Sequence, residues 1–188
     1  LQVYGDGVVA TSDDDIFFSQ DGTSWLQLNK ASVSGSGDNF STFGGRSVSA
    51  FTAPGQSQFA VFEGVDDYGS IIMTDKSGSN KPFFFKMTGT GALSTRTFFA
   101  ESITIDGSKT AKFCTVHDKH LVVAGDPSTP STIYFSATND PTSFSGTGSG
   151  AIALEDQIVG IKSFRNDLII FCQNSLFKLI NINDSSNI

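Results

Sequence analysis

Two histidines, His117 and His120, lie three residues apart across Asp118 and Lys119. On a turn, that spacing could bring both imidazoles to one metal ion, with Asp118 or Asp126 completing the set. Third and fourth ligands at a fixed spacing are not evident, so the pair reads as a polar connection between two strands and no metal is assigned. Asp13, Asp14 and Asp15 could offer oxygens to calcium, which takes six to eight. Consecutive side chains diverge, however, and the one-three-five spacing with glycine of a calcium loop is missing; a solvated turn is expected. Cys114 stands near His117, but on a strand an odd separation points two side chains to opposite faces, which argues against a nucleophile–base pair. No Gly-x-Ser-x-Gly elbow occurs. Paired carboxylates for glycoside hydrolysis are set by space and leave no spacing to read. No catalytic residue and no cofactor is expected.

The elements that would hold these groups follow from composition. The 188 residues include 18 Phe, 19 Gly, 26 Ser and 17 Thr but only 9 Leu, and 16 Asp against 3 Glu. Asp, Gly and Ser suit turns and caps, while Glu and Leu fill helices. Aromatic and β-branched side chains fit a pleated surface. An all-β fold is expected. The longest apolar runs are four to five residues, as in Leu168-Ile169-Ile170-Phe171, so no membrane span is expected. Leu1 is not a start methionine and no charged-then-apolar leader opens the chain, so no signal peptide is visible. Cys114 and Cys172 sit in apolar runs and read as buried free thiols. The net charge of −7 is uneven: residues 1–75 carry −8 and residues 76–188 about +1. Lys109, Lys112 and Lys119 form only a thin basic cluster, so DNA binding is not expected as the main task.

A unit recurs four times: an apolar run, a polar turn and a second apolar run. Its copies are Val8-Val9-Ala10-Thr11 with Ile16-Phe17-Phe18-Ser19, Phe59-Ala60-Val61-Phe62 with Ile71-Ile72-Met73-Thr74, Leu121-Val122-Val123-Ala124 with Ile133-Tyr134-Phe135-Ser136, and Leu168-Ile169-Ile170-Phe171 with Leu176-Phe177-Lys178-Leu179. Such pairs are hairpin signals. A further strand is expected before three of them, over 47–51, 112–116 and 158–162, and another after some, over 99–105 and 151–154. Four antiparallel strands per unit make the blade of a β-propeller. The expected organisation is one propeller-type domain over 1–188, with about three and a half blades at 1–45, 46–110, 111–156 and 157–188. A β-sandwich is the alternative.

After the first hairpin comes Ser19-Gln20-Asp21-Gly22-Thr23-Ser24-Trp25, which is similar to the Asp-box of propeller proteins, shortened by one residue between Asp and Gly. Asp caps the turn, Gly supplies a positive φ, and Trp25 is expected to pack back over the turn. Degenerate equivalents are Thr74-Asp75 with Gly78, ahead of Phe83-Phe84-Phe85, and Ser136 with Asn139, Asp140 and Pro141, ahead of Phe144. These are read as structural turns. A sialidase site would need Arg46, Arg96 and Arg165 to converge, and Phe164-Arg165-Asn166-Asp167 departs after two residues from that family's Phe-Arg-Ile-Pro signature.

The stretch 120–180 carries the most specific signal: Leu121-Val122-Val123-Ala124-Gly125-Asp126, Ile133-Tyr134-Phe135-Ser136, Asn139-Asp140-Pro141-Thr142-Ser143-Phe144, Ile158-Val159-Gly160-Ile161, then Leu168-Ile169-Ile170-Phe171. It resembles the propeller repeats of tailed-bacteriophage tail proteins, of the nozzle or tail tubular protein B type and the related head-completion, DNA-stabilising tail proteins. The likeness covers about a third of the chain well. It implies a non-enzymatic virion component of the tail that assembles with copies of itself in a ring, commonly of six, and with neighbouring tail or adaptor proteins. DNA would pass through that ring without sequence-specific binding. An acidic lumen repels phosphate, and Asp13, Asp14, Asp15, Asp66 and Asp67 are the candidates for such a surface. The alternative is a glycan-binding or glycan-cleaving host-recognition module using Trp25, Tyr68 or Tyr134 as aromatic platforms. Three and a half blades do not close a propeller of four to eight, so the chain reads as part of a longer one, and uncovered strand edges lead to the expectation that it dimerises or aggregates alone.

Overall fold

The structure is a computed structural model and describes residues 1–12, 15–27, 57–63, 69–88, 97–180 and 182. Among these it contains strands and turns only, as the composition requires. The first sheet holds β1 (Gln2–Tyr4), β2 (Gly7–Ser12), β3 (Asp15–Ser19) and β4 (Leu26–Gln27). The second holds β5 (Ser57–Phe62), β6 (Ser70–Asp75), β7 (Phe83–Thr88) and β8 (Thr97–Ser102). The third holds β9 (Phe113–His117), β10 (His120–Ala124), β11 (Thr132–Phe135) and β12 (Gly150–Ala153). The fourth holds β13 (Ile158–Phe164), β14 (Asp167–Cys172) and β15 (Leu176–Leu179). Every sheet is an antiparallel meander in chain order, and among the described residues no strand pairing joins one sheet to the next.

The sheets are held together by their faces. Tyr4 packs edge-on against Phe85 at 5.6 Å between ring centroids, and Phe18 lies 6.2 Å from the same ring, so the first sheet rests on the second. The opposite face of the second sheet (Ala60, Phe62, Ile72 and Phe84) meets Cys114, Leu121, Val123 and Tyr134 of the third. The third sheet's other face (Val122, Ala124, Ile133, Phe135 and Ile152) meets Ile158, Ile161, Leu168, Ile170 and Leu179 of the fourth. The period-two alternation of side chains lets one strand serve both seams: Leu121 and Val123 point one way, Val122 and Ala124 the other. Burying a side chain of this size contributes about 1.5–3 kcal/mol. The opening strands of the last three sheets lie side by side, with β9 between β5 and β13. A sandwich has two layers, with one face of each sheet outward; here the second and third sheets are covered on both.

Two expectations change. Phe83-Phe84-Phe85, read as the aromatic end of a turn, is the start of the central strand β7, with Phe83 and Phe85 facing the first sheet and Phe84 the third. The hairpin of the second unit, β5–β6, therefore occupies the first two strands of its described sheet, whereas β2–β3 and β10–β11 are the middle pair of theirs. The strand expected over 47–51 lies outside the described residues.

Candidate functional site

The groups singled out for chemistry resolve into a set of aspartate-capped turns. In the first, the Asp21 carboxylate accepts from the Thr23 and Ser24 backbone N–H groups at 2.8 and 2.7 Å and from Ser19 Oγ at 3.2 Å. Gly22 N donates to Ser19 Oγ at 2.9 Å, with φ of +73°. Donors from Ser24 and Thr23 hold the Asp21 carboxyl well below the usual carboxylate range. Trp25 is 43% exposed, so the packing over the turn expected of it is at most partial. Asp75, fully buried at the end of β6, accepts from Gly78 N (2.8 Å), Asn80 N (3.2 Å), Asn80 Nδ2 (2.6 Å) and Ser77 Oγ.

The third sheet carries two such turns. Asp126, just beyond β10, accepts from Ser128 N (3.0 Å), Thr129 N (3.1 Å) and Thr110 N (2.8 Å), and Lys109 Nζ lies 3.6 Å away. Burial disfavours its charge, but the Ser128, Thr110 and Thr129 hydrogen bonds prevail and its carboxyl is held well below the usual range. This turn ties the β8–β9 connection to the β10–β11 loop. At the second, Asp140 accepts from Thr142 N (3.0 Å) and Oγ1 (2.8 Å), Asn139 has a φ of +62°, Pro141 is buried and Phe144 half-buried against the core between the second and third sheets. Ser136 Oγ accepts from Leu121 N at 3.0 Å. Asp156 caps a turn that the spacing does not suggest: it accepts from Asn174 N at 2.7 Å and Gln157 N at 2.8 Å, fastening β13 to the β14–β15 loop.

His117 and His120 face each other across the β9–β10 hairpin, whose Asp118 and Lys119 both have positive φ. His117 Nδ1 lies 3.0 Å from Ser163 Oγ on β13, while His120 Nδ1 lies 2.6 Å from the Ser136 carbonyl and its ring stacks edge-on against Phe135. Burial lowers the His117 pKa against the pull of Asp118 and Asp167. Both rings serve inter-strand bonds, and no cluster of three metal-binding groups occurs among the described residues. His117, Ser163, Arg165 and Asn166 line an open depression of about 430 Å³.

Cys114 and Cys172 are free and buried in different seams, Cys114 facing the second sheet and Cys172 the third. Burial pushes the Cys114 thiol up to about 12. Cys114 and His117 do face opposite ways along β9, toward the second and fourth sheets respectively.

Tyr4 is a residue the sequence reading passes over. Its hydroxyl donates to the Gly69 carbonyl at 2.8 Å and accepts from Met87 N at 3.1 Å, pinning the first sheet to β7 and to the residue just before β6. Its partners lie 65 and 83 residues away, so local patterning holds no trace of them. Of the aromatic platforms considered for glycan, Tyr134 is buried with its hydroxyl 2.9 Å from Thr129 Oγ1, and Tyr68 lies outside the described residues. Of the acidic candidates, Asp13, Asp14, Asp66 and Asp67 also lie outside them, and Asp15 opens β3. No family model, no curated protein and no solved structure matches the chain.

Proposed function

We propose that this chain is a β-propeller-type structural module that works by protein–protein assembly, as a tail or nozzle component of a tailed bacteriophage. The observation that carries the assembly reading is the face-to-face succession of meanders with their opening strands side by side, the arrangement in which propeller blades bury one another. The capped aspartates support it too, because their oxygens are committed to backbone donors and stiffen loops between strands. The virion assignment rests on the resemblance carried by residues 120–180. In that setting the acidic residues of the 1–75 segment, with net charge −8, would face passing DNA and keep phosphates from adhering.

The test is localisation. Antibody raised against the folded chain, applied to purified tailed particles, is expected to decorate the tail in electron micrographs. Label confined to unassembled protein, or absent from particles that carry DNA, would overturn the virion assignment.

A further inference from the structure

Among the described residues, the stack of sheets ends in two apolar faces that no other sheet covers. On the fourth sheet, the side turned from the third carries Ile169, Phe171 and Leu176, with Phe171 46% and Leu176 63% exposed, and Val159 beside them at 48%. On the first sheet, the side turned from the second carries the cross-strand pairs Val3 with Val8 and Ala10 with Phe17, with Val3 67% exposed and Val8, Ala10 and Phe17 half-buried. We propose that a second copy of this chain covers both: the first sheet of one copy stacks on the fourth sheet of the other, and the reciprocal contact closes the pair. The proposal rests on reading the sheets as consecutive blades and is independent of the virion assignment.

Three observations favour that occupant. The apolar run of β14 matches that of β10, which is buried on both faces, so the outward half of β14 has the composition of a seam rather than of a surface. Charge selects the pairing. The described residues of 1–27 carry Asp6, Asp15 and Asp21 and no base, whereas residues 158–180 carry +2, with Lys162 and Lys178 on the outward face. Lys178 holds Asp167 at 2.9 Å, which leaves that face net positive. First-on-first or fourth-on-fourth stacking would juxtapose like charges, whereas first-on-fourth is complementary. Closure then sets the number. One copy's four sheets leave Val3 and Phe171 exposed at their two ends, two copies supply eight sheets, within the four to eight of known propellers, and three would supply twelve.

The experiment uses the full 188-residue chain in sedimentation equilibrium, with Val3→Asp and Phe171→Asp as interface variants. The wild type is expected at twice the 20.0 kDa chain mass. Each variant alone loses every first-on-fourth contact and is expected to dissociate roughly thirtyfold or more readily. An equimolar mixture of the two restores one intact contact and is expected to form a mixed pair, which only a head-to-tail interface permits. A wild-type monomer at 100-micromolar-order concentration, a variant that keeps the wild-type mass, or a mixture that stays monomeric overturns the proposal. Circular dichroism checks that each variant folds. Should either fail, carbodiimide coupling of wild-type copies labelled with different nitrogen isotopes decides the matter. Links between Lys162 or Lys178 of one copy and Asp6 or Asp21 of the other support the pairing, and links within one copy only overturn it.

Discussion

β10 and β14 are written in almost the same residues, Leu-Val-Val-Ala and Leu-Ile-Ile-Phe, yet they have different surroundings. Every residue of β10 is buried, because the third sheet has a neighbour on each side. Along β14 burial alternates, with Leu168, Ile170 and Cys172 inside and Phe171 exposed. The difference lies in position within the stack and not in local propensity. A continuous apolar run specifies a strand that wants two covered faces, and among the described residues only one face of β14 meets another sheet.

That comparison can be broken by substitution. The largest effect is expected at the doubly covered sheet: Leu121→Ala should cost about 3–4 kcal/mol in urea unfolding, from lost transfer energy and a cavity without room to collapse. Phe171→Ala, measured on dilute protein, should cost less than about 1 kcal/mol. Equal costs would mean that β14 is covered after all. Next comes the seam between the first two sheets. Gly69 has a φ of +65°, and an added Cβ would stand 2.4 Å from the Phe62 carbonyl oxygen, so Gly69→Ala should cost about 2–3 kcal/mol. Tyr4→Phe, which leaves a buried carbonyl and N–H without their partner, should cost about 1–3 kcal/mol.

The turns and histidines give smaller, pH-dependent effects. Asp126→Ala should cost about 1–2 kcal/mol near neutral pH. Because the folded-state pKa of Asp126 is depressed, its contribution is complete above the unfolded value of about 3.9 and fades as pH falls below it, so wild type and variant should converge in acid. His117 is depressed as well. Its unfolded form binds a proton near pH 6.5 while the folded form stays neutral, so stability should decline as pH drops from about 6.5, and His117→Gln should flatten that decline. Asp21→Ala, at a fully exposed turn, is expected to be the mildest, and a melting temperature lowered as much as by Asp126→Ala would contradict the contrast between the outer and inner turns.

What the sequence discloses is what depends on neighbours in the chain. The β10–β11 and β14–β15 hairpins follow from paired apolar runs, and the Asp21 turn from its Ser-Asp-Gly spacing, because residues close in the chain determine each. Phe83-Phe84-Phe85 misleads, since three identical side chains carry no alternation to mark a strand buried on both faces. The pairing of His117 with Ser163, 46 residues on, and the capping of the β14–β15 loop by Asp156 depend on which sheets come to lie together. No periodicity encodes that. The same limit applies to the two ends of the stack, where the exposure of Val3 and Phe171 depends on which sheets lie beside them.

The two thiols divide the molecule in a way that kinetics can exploit. Cys114 lies in the seam between the second and third sheets and Cys172 in the seam between the third and fourth, each protonated and shielded while its seam is shut. Only a thiolate in contact with solvent reacts with an alkylating reagent. The rate at which each cysteine is labelled in native protein is therefore a clock for the opening of its own seam, one interior and one terminal. The chain thus carries two internal gauges of whether its sheets part together or peel from the end.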